Sequence, residues 1–222
     1  EDWRLSDSRT AILTSVRDSL TGGKERSSAT REIIQERIQS ARLQVQPSIT
    51  GDLLERYCDK HVAVHGTFDR LTGITGIIDA LDHYLQKHEL TPELIRGAGV
   101  ILDGLDWPDG WQVERRPAGV LDRIVISEAF AGIAETGTLV FLSAPQTPTS
   151  HLFLGEDHLV VLDTSRIIRH QEEVWQWLRS ESSIFPRTVN LITGPSKTGD
   201  VEQTIEYGAH GPRRIHVFLI DT

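Results

Sequence analysis

The sequence predicts an α/β protein with a mainly parallel, Rossmann-like sheet that follows a helical N-terminal extension. Short apolar runs rich in β-branched residues alternate with amphipathic helical patterns through the last two thirds of the chain. Gly- and Pro-rich segments separate these elements. We therefore expect residues 1–50 to form the extension and residues 51–222 to form one α/β domain.

The extension is predicted to contain two helices joined by a flexible linker. Residues 8–20 place Ile12, Leu13, Val16 and Leu20 on one face, which is the periodicity of an amphipathic helix. Residues 21–29 resemble a linker, and a second helix is expected over 29–43. Such helices pack either on the core or against a partner chain, and both options stay open.

The α/β pattern begins with a helix over 53–60 and a strand over 61–66. A helix over 74–88 and a strand over 94–96 follow. The next residues, Gly97-Ala98-Gly99, resemble a dinucleotide fingerprint, but position 102 is Leu and the G-x-G-x-x-G spacing fails.

The middle of the chain carries a surface loop and then a glycine-rich connection. Residues 103–119 are predicted to be a loop, or a loop broken by a short strand, with Trp107 and Trp111 as apolar anchors. Residues 131–137, AGIAETG, are small enough to form a tight connection. The other elements expected here are strands 121–126, 138–142 and 158–162, a loop 143–150 and a helix 167–178.

Residues 188–220 are predicted to be a βαβ unit. An apolar run begins at Val189, helical spacing spans 198–207, and a second apolar run occupies 215–220. Parallel pairing of the two strands follows from this interpretation. Ligands of parallel sheets bind at the carboxyl ends of strands, where the loop 194–199 is then expected.

Composition narrows the classes of function. A formal net charge of −9 disfavours a nucleic-acid partner, because phosphate binding depends on a basic surface. No apolar run approaches the length of a membrane span, and we expect a cytoplasmic protein. A single cysteine, Cys58, cannot hold an iron–sulfur cluster that needs several thiolates, and no zinc motif is present, so we expect no cofactor or metal in this chain.

The segment 194–200 has the composition of an anion-binding loop. Gly194, Ser196, Lys197 and Thr198 combine small size, hydroxyl groups and a cation. A predicted helix N-terminus follows, with Asp200 in its first turn. We expect these residues to bind a carboxylate or phosphate. The alternative is that the hydroxyls and the carboxylate cap the helix.

Two further segments supply candidate catalytic and binding groups. Glu135 lies in the glycine-rich connection and can act as a base or hold a substrate hydroxyl, with Gly137 and Thr138 beside it. His210 is a candidate base, and Arg213 can clamp a carboxylate. Alternatively, Glu135 and His210 bond to the backbone of their own turns.

The sequence resembles the LUD domain of lactate-utilisation proteins in two motifs. The first is GIAETG at 132–137, and the second is TGPSKT at 193–198 followed by G-x-HGP at 208–212. The resemblance covers residues 60–222 and is to the LutC type. It implies the fold superfamily of ribose-phosphate isomerase and CoA transferases. It also implies a non-redox role in oxidation of L-lactate to pyruvate, beside iron–sulfur partner subunits, and a pocket for a small organic acid.

Two alternatives remain. The chain could be a stand-alone isomerase or acyl/CoA transferase, because CoA transferases of that superfamily use a Glu nucleophile and Glu135 is available. It could also be a regulatory or scaffold protein that docks iron–sulfur partner subunits through its N-terminal helices.

Overall fold

The computed structural model describes residues 2–22, 27–39, 46–181, 185–199 and 206–221. The chain divides into two compact units, residues 1–46 and 47–222. The first contains helices α1 (Asp2–Thr21) and α2 (Ser28–Gln39). The end of the predicted second helix, residues 40–43, and residues 23–26 of the predicted linker lie outside the described residues.

A six-stranded sheet forms the centre of the second unit, in the order β1-β12-β7-β4-β2-β3. Every neighbouring pair in it is parallel, which confirms the predicted α/β class. The central strands are buried on both faces, as expected for a covered parallel sheet. Its strands are β1 (Thr67–Thr72), β2 (Glu93–Arg96), β3 (Gln112–Glu114), β4 (Ile124–Glu128), β7 (Asp157–Asp163) and β12 (Arg214–Asp221).

Helices cover one face of this sheet. Apolar side chains of α4 pack on the side chains of Phe218 and Ile220 from β12, together with Trp107 and Trp111 from the surface loop. The two tryptophans thus anchor the loop, as predicted. The helices of this unit are α3 (Leu53–Ala63), α4 (Ile77–Lys87), α5 (Val100–Asp103), α6 (Ser150–Phe153) and α7 (Gln171–Glu181).

A second, four-stranded sheet covers the other face, in the order β8-β5-β6-β9. Leu139 of this sheet packs with Val160 and Val217 of the large sheet and with Tyr57 of α3, so the core lies between the two sheets. A two-stranded hairpin lies apart from it. The strands are β5 (Ala131–Ile133), β6 (Thr138–Leu142), β8 (Ile167–Ile168) and β9 (Val189–Ile192), with β10 (Lys197–Thr198) and β11 (Glu206–Tyr207) in the hairpin.

The predicted βαβ unit over 188–220 is wrong. Strand β9 pairs antiparallel with β6 in the small sheet, whereas β12 lies in the large sheet. Thr198 and Glu206 pair in the antiparallel hairpin, so both ends of the expected helix over 198–207 are strand residues. Residues 200–205 lie outside the described part of the chain. Spacing in one segment carries no information about which strand it pairs with.

Other boundaries also differ from the prediction. The helix expected over 167–178 is wrong at its start, where Ile167–Ile168 are strand β8 and α7 spans Gln171–Glu181. Residues 61–63 continue helix α3, the chain turns at His65 with φ 71°, and the strand begins at Thr67. Residues 131–133 are a buried strand and not part of a connection. Gly132 suits that strand because a Cβ there would lie 2.8 Å from Cδ2 of Leu162. Packing between the sheets decides these elements over local propensity.

Within the described residues, no helix has the length and apolar character needed to cross a membrane.

Candidate functional site

The turn between β5 and β6, residues 134–137, lies against the end of helix α3. Gly137 closes the turn with φ 70°, and its N–H donates to the Ile133 carbonyl at 2.9 Å. A Cβ at Gly137 would lie 2.4 Å from the backbone nitrogen of His61. The buried His61 ring donates from Nδ1 to the Gly137 carbonyl at 3.3 Å. Only glycine fits this contact between turn and helix.

Glu135, in the same turn, forms a pair with His170. Its backbone N–H donates to the Arg169 carbonyl at 3.1 Å, which extends the β5–β8 pairing to this point. The Oε2 atom of Glu135 then lies 3.1 Å from Nδ1 of His170. The side chains are 25% and 10% exposed, so the pair is largely withdrawn from solvent.

This geometry makes His170 a candidate base. A carboxylate only accepts hydrogen bonds, so Nδ1 of His170 donates to Glu135, and in the neutral form of the ring Nε2 is the acceptor. The backbone N–H of His170 also donates to Glu173 Oε1 at 2.8 Å, which fixes the residue at the start of α7. Sequence reasoning missed His170. The H-x-x-E spacing signals the cap, but the contact with Glu135 depends on pairing between distant strands.

Three threonine hydroxyls connect the turn to the loop after β9. Thr138 Oγ1 lies 2.6 Å from Thr136 Oγ1 and 2.7 Å from Thr193 Oγ1. Thr138 is buried, so its hydroxyl serves this chain of hydrogen bonds. The two sequence motifs of the LUD resemblance, which contain Thr136 and Thr193, are therefore linked through the Thr138 hydroxyl.

Gly194 and Lys197 also meet the end of α3. Gly194 has φ 71°, and a Cβ there would lie 2.3 Å from the Val64 carbonyl oxygen. The Lys197 ammonium donates to the same oxygen at 3.1 Å and lies 5.8 Å from the centre of the Tyr207 ring. A cation at a helix C-terminus is favoured by the helix dipole. Lys197 thus caps α3, with further N–H donors that a ligand can use.

Ser196 joins this loop to the segment 208–212. Its N–H donates to the Pro212 carbonyl at 2.9 Å, and its carbonyl accepts from the Gly208 N–H at 3.1 Å. Thr198 pairs with Glu206 in the hairpin. Asp200 lies outside the described residues.

His210 and Arg213 lie at the amino-terminal edge of the large sheet. Arg213 immediately precedes β12, and its N–H donates to the Glu156 carbonyl at 2.8 Å. His210 is exposed and lines a groove that also contains Leu121 and Phe153. The carboxyl-edge placement predicted for the loop 194–199 is wrong. Ser196 bonds to Gly208 and Pro212, and that segment leads into β12 at the end where Arg214 pairs with Asp157, the first residue of β7.

A buried carboxylate stabilises this edge. Asp157 is fully buried and accepts hydrogen bonds from the Tyr84 hydroxyl at 2.8 Å and from Arg214 Nη2 at 2.7 Å. Burial, together with the neighbouring Asp157 charge, holds the pKa of Tyr84 above its ordinary value. The arrangement is an ion pair in which the carboxylate is fully buried and the Arg214 side chain is 31% exposed.

The structure therefore links the 134–137 turn to His170 and, through Thr138, to the loop that begins at Thr193. Ser196 connects that loop to the segment 208–212, whereas His210 lines a separate groove. Across the described parts of the chain, no group of three or more His, Cys, Asp or Glu side chains is arranged to hold a metal. The assembled groups can exchange a proton through His170, donate hydrogen bonds and present a cation. They define a small α/β protein whose candidate site lies between a hairpin turn, a helix end and two loops.

The family is shown by comparison with known proteins. A family profile described as the LUD domain matches residues 26–220. The chain belongs to the LUD domain family. A crystal structure of a DUF162 family protein from Deinococcus radiodurans covers 78% of this chain and 99% of its own, with a TM-score of 0.54 and 19% identity, which supports the fold alone.

Curated relatives associate the chain with the LutC type. It is 30% identical over 119 residues to lactate utilization protein C from Exiguobacterium sp., covering 52% of each chain. It is 25% identical over 169 residues to lactate utilization protein C from Bacillus subtilis, covering 67% of this chain and 70% of that one. An uncharacterised protein from Neisseria meningitidis serogroup B is 37% identical over 94 residues, which are 42% of this chain and 40% of the relative. The chain spans about half the length of the first curated relatives it matches.

Proposed function

We propose that the chain is the non-redox, LutC-type component of a system that oxidises L-lactate to pyruvate. Membership of the LUD domain family and the relatives named lactate utilization protein C support this assignment. The sequence holds one cysteine, whereas an iron–sulfur cluster needs several thiolates. The proposal therefore assigns electron transfer to iron–sulfur partner chains and requires no cofactor in this one.

The proposed ligand is a small organic acid or a related anion, bound beside the 134–137 turn. The observation that carries this part is the Glu135–His170 pair, in which the carboxylate orients the imidazole and leaves Nε2 as a proton acceptor. A ligand hydroxyl is a suitable partner for that nitrogen. Lys197, which has N–H groups beyond the one that donates to the Val64 carbonyl, is the proposed counter-charge for a carboxylate.

Growth on L-lactate tests the proposal. We expect a strain that lacks the gene to lose growth on L-lactate and keep growth on pyruvate. The unaltered gene should restore growth, and the variants Glu135→Gln and His170→Gln should not, although both proteins accumulate. Glu93→Gln, an exposed carboxylate on β2, is the matched control and should restore growth. Normal growth of the deletion strain on L-lactate would contradict the proposal.

Ligand binding by the purified chain tests the site separately. Titration calorimetry with L-lactate, pyruvate and inorganic phosphate should show binding that Glu135→Gln or Lys197→Gln weakens and Glu93→Gln leaves unchanged. Loss of growth without such binding would assign the chain a role in assembling its partners and would remove the ligand from the proposal.

A second candidate is a stand-alone isomerase or acyl transferase. The same Glu135–His170 pair favours it, because an oriented imidazole can abstract a proton without any redox group. Turnover of sugar phosphates or CoA esters by the purified chain alone, lost in Glu135→Gln, would support this function over the first one.

A further inference from the structure

A small cavity lined by both polar and apolar side chains lies at the carboxyl end of β4, and its lining does not include residues 134–137. It has a volume of about 30 Å³, which accommodates about two water-sized groups. Ligands of parallel sheets characteristically bind at this edge. Its polar lining consists of Ser127, Glu128, Ser143, Thr147, Thr149, His151 and Asn190.

The Gly97-Ala98-Gly99 loop makes room for two of these side chains. A Cβ at Gly99 would lie 2.0 Å from Oε2 of Glu128, so only glycine leaves space for that carboxylate. A Cβ at Gly97 would lie 3.5 Å from both Nδ1 of His151 and Cγ2 of Thr147, at ordinary contact distance. The absence of a side chain at Gly97 therefore leaves room beside Nδ1 of His151 that an added methyl group would fill.

Nδ1 of His151 is a hydrogen-bond acceptor for which the structure provides no donor. The residue is 2% exposed, and its Nε2 lies 2.7 Å from the Arg116 carbonyl oxygen. A carbonyl only accepts, so Nε2 carries the proton, and burial lowers the pKa of the ring and keeps it neutral. Nδ1 is then a buried lone pair, and the structure gives it no partner. A buried acceptor without a donor costs free energy unless a ligand or water supplies one.

The charge of the cavity selects against anions. Glu128 Oε2 accepts from the N–H groups of Ile101 and Leu102 at 3.0 and 3.3 Å, so it also offers acceptors. None of the residues that line the cavity is Lys or Arg. A carboxylate or phosphate would meet Glu128 without a counter-ion, whereas a hydroxyl group can donate to Nδ1 of His151.

We propose that this cavity is a binding subsite for a hydroxyl group of a neutral, polyhydroxylated ligand such as a polyol or sugar. The carbon frame of the ligand has a place in the adjoining groove of about 910 Å³, whose lining is mainly apolar. The cavity and the groove share Leu142, Ser143, Pro148 and Thr149. This subsite is separate from the one proposed for an organic acid, and neither depends on the other.

Nitrogen-detected NMR of the histidine rings tests the subsite directly. The His151 resonances are assigned by their loss in His151→Gln. Without ligand, Nδ1 should have the shift of an unprotonated nitrogen. Glycerol should move it towards the value of a hydrogen-bonded nitrogen, and 1,2,3-trimethoxypropane, which has the same oxygens without donors, should leave it in place.

Gly97→Ala provides the blocking variant. Its methyl group fits beside Nδ1 at 3.5 Å without a backbone clash, so the protein should fold and the response to glycerol should disappear. Gly76→Ala, whose Cβ would meet only Cδ2 of Leu71 at 3.9 Å, should respond as the unaltered protein does. A protonated Nδ1 in the free protein, or glycerol shifts of equal size in Gly97→Ala, would overturn the proposal. Equal shifts with both probes would overturn it as well.

Discussion

Nδ1 of His170 lies 3.1 Å from Oε2 of Glu135, although the two residues are 35 positions apart in the chain. Backbone pairing between β5 and the segment after β8 holds both residues in place, and the cap at the start of α7 fixes the imidazole. Because both sides of the contact are positioned by secondary structure, the pair should behave as one energetic unit.

A double-mutant cycle measures the coupling free energy between the two side chains. We expect Glu135→Gln and His170→Gln to be non-additive in the free energy of unfolding, with a coupling of about 0.5–3 kcal/mol. Urea unfolding of the two single variants, the double variant and the unaltered protein gives the value. Strict additivity would show that the contact does not form in solution.

Gly137→Ala should destabilise the fold severely. The left-handed backbone costs an alanine about 1–2 kcal/mol. A Cβ 2.4 Å from the His61 backbone adds about 1–3 kcal/mol of overpacking. Denaturant unfolding should therefore show a loss of roughly 2–5 kcal/mol, taking both costs together. Gly110→Ala, whose Cβ would have no neighbour within 4 Å, is the control and should change stability by less than about 1 kcal/mol.

Asp157→Asn should remove the centre of the Asp157–Arg214 ion pair. The substitution removes the carboxylate that accepts from Arg214 Nη2 at 2.7 Å. The Arg214 side chain is 31% exposed and keeps Glu156 Oε1 at 4.0 Å, so we expect a cost of about 1–3 kcal/mol. Glu156→Gln, at the neighbouring position, is the matched control. Its carboxylate is 36% exposed and pairs with Arg123 at 3.2 Å, so its loss should cost less than about 1 kcal/mol. Equal costs for the two variants would contradict the assignment.

Stability should fall as the pH falls below about 6.5. Burial lowers the pKa of His158 to about 3, and the nearby His151 contributes to that shift. Between the unfolded and folded values the unfolded chain binds more protons, so each pH unit costs up to about 1.4 kcal/mol for this residue. Urea unfolding from pH 7 to pH 4 measures the slope. His158→Gln can still form a hydrogen bond to Ser127. In this variant the number of protons taken up on unfolding, which sets the slope, should fall by one.

The Cys58 thiol should resist labelling until the protein opens. It is 3% exposed, and burial raises its pKa despite the Arg70 guanidinium at 3.3 Å from Sγ. Reaction with Ellman's reagent should be at least about 10³-fold slower in native protein than in denaturant, because it waits for unfolding. Asp109→Cys in a Cys58→Ser background provides the exposed control and should react at once.

Much of the parallel sheet is predictable because its strands are local signals. Apolar, β-branched runs such as 94–96, 158–162 and 215–220 lie inside the observed strands. Partner choice is not local, which is why Val189–Ile192 was placed in the wrong sheet. The strand expected over 61–66 failed for a different reason: α3 extends to Ala63, and two distant glycines pack on its end.

In the candidate site, too, residues with a local sequence signal could be predicted, whereas residues placed by contacts between distant segments could not. Glu135 stands out in the sequence because its glycine-rich surroundings are unusual. His170 does not, because its role arises only when β5 and β8 pair. Lys197 has the charge that an anion loop needs, yet the structure uses one of its N–H groups to cap a helix that is 133 positions away in the chain.

The last turn of α3 and the two residues that contact it, Gly137 and Lys197, form a corner of the second unit. This corner has a consequence for how the chain folds on the ribosome. The Gly137 carbonyl and the Lys197 ammonium reach it from 76 and 133 positions further along the sequence. Closing loops of that length is slow compared with forming a helix. During synthesis the last turn of α3 must therefore wait, incompletely covered, until nearly the entire second unit has emerged. Truncated nascent chains that stop before β10 should remain accessible to proteases at this corner.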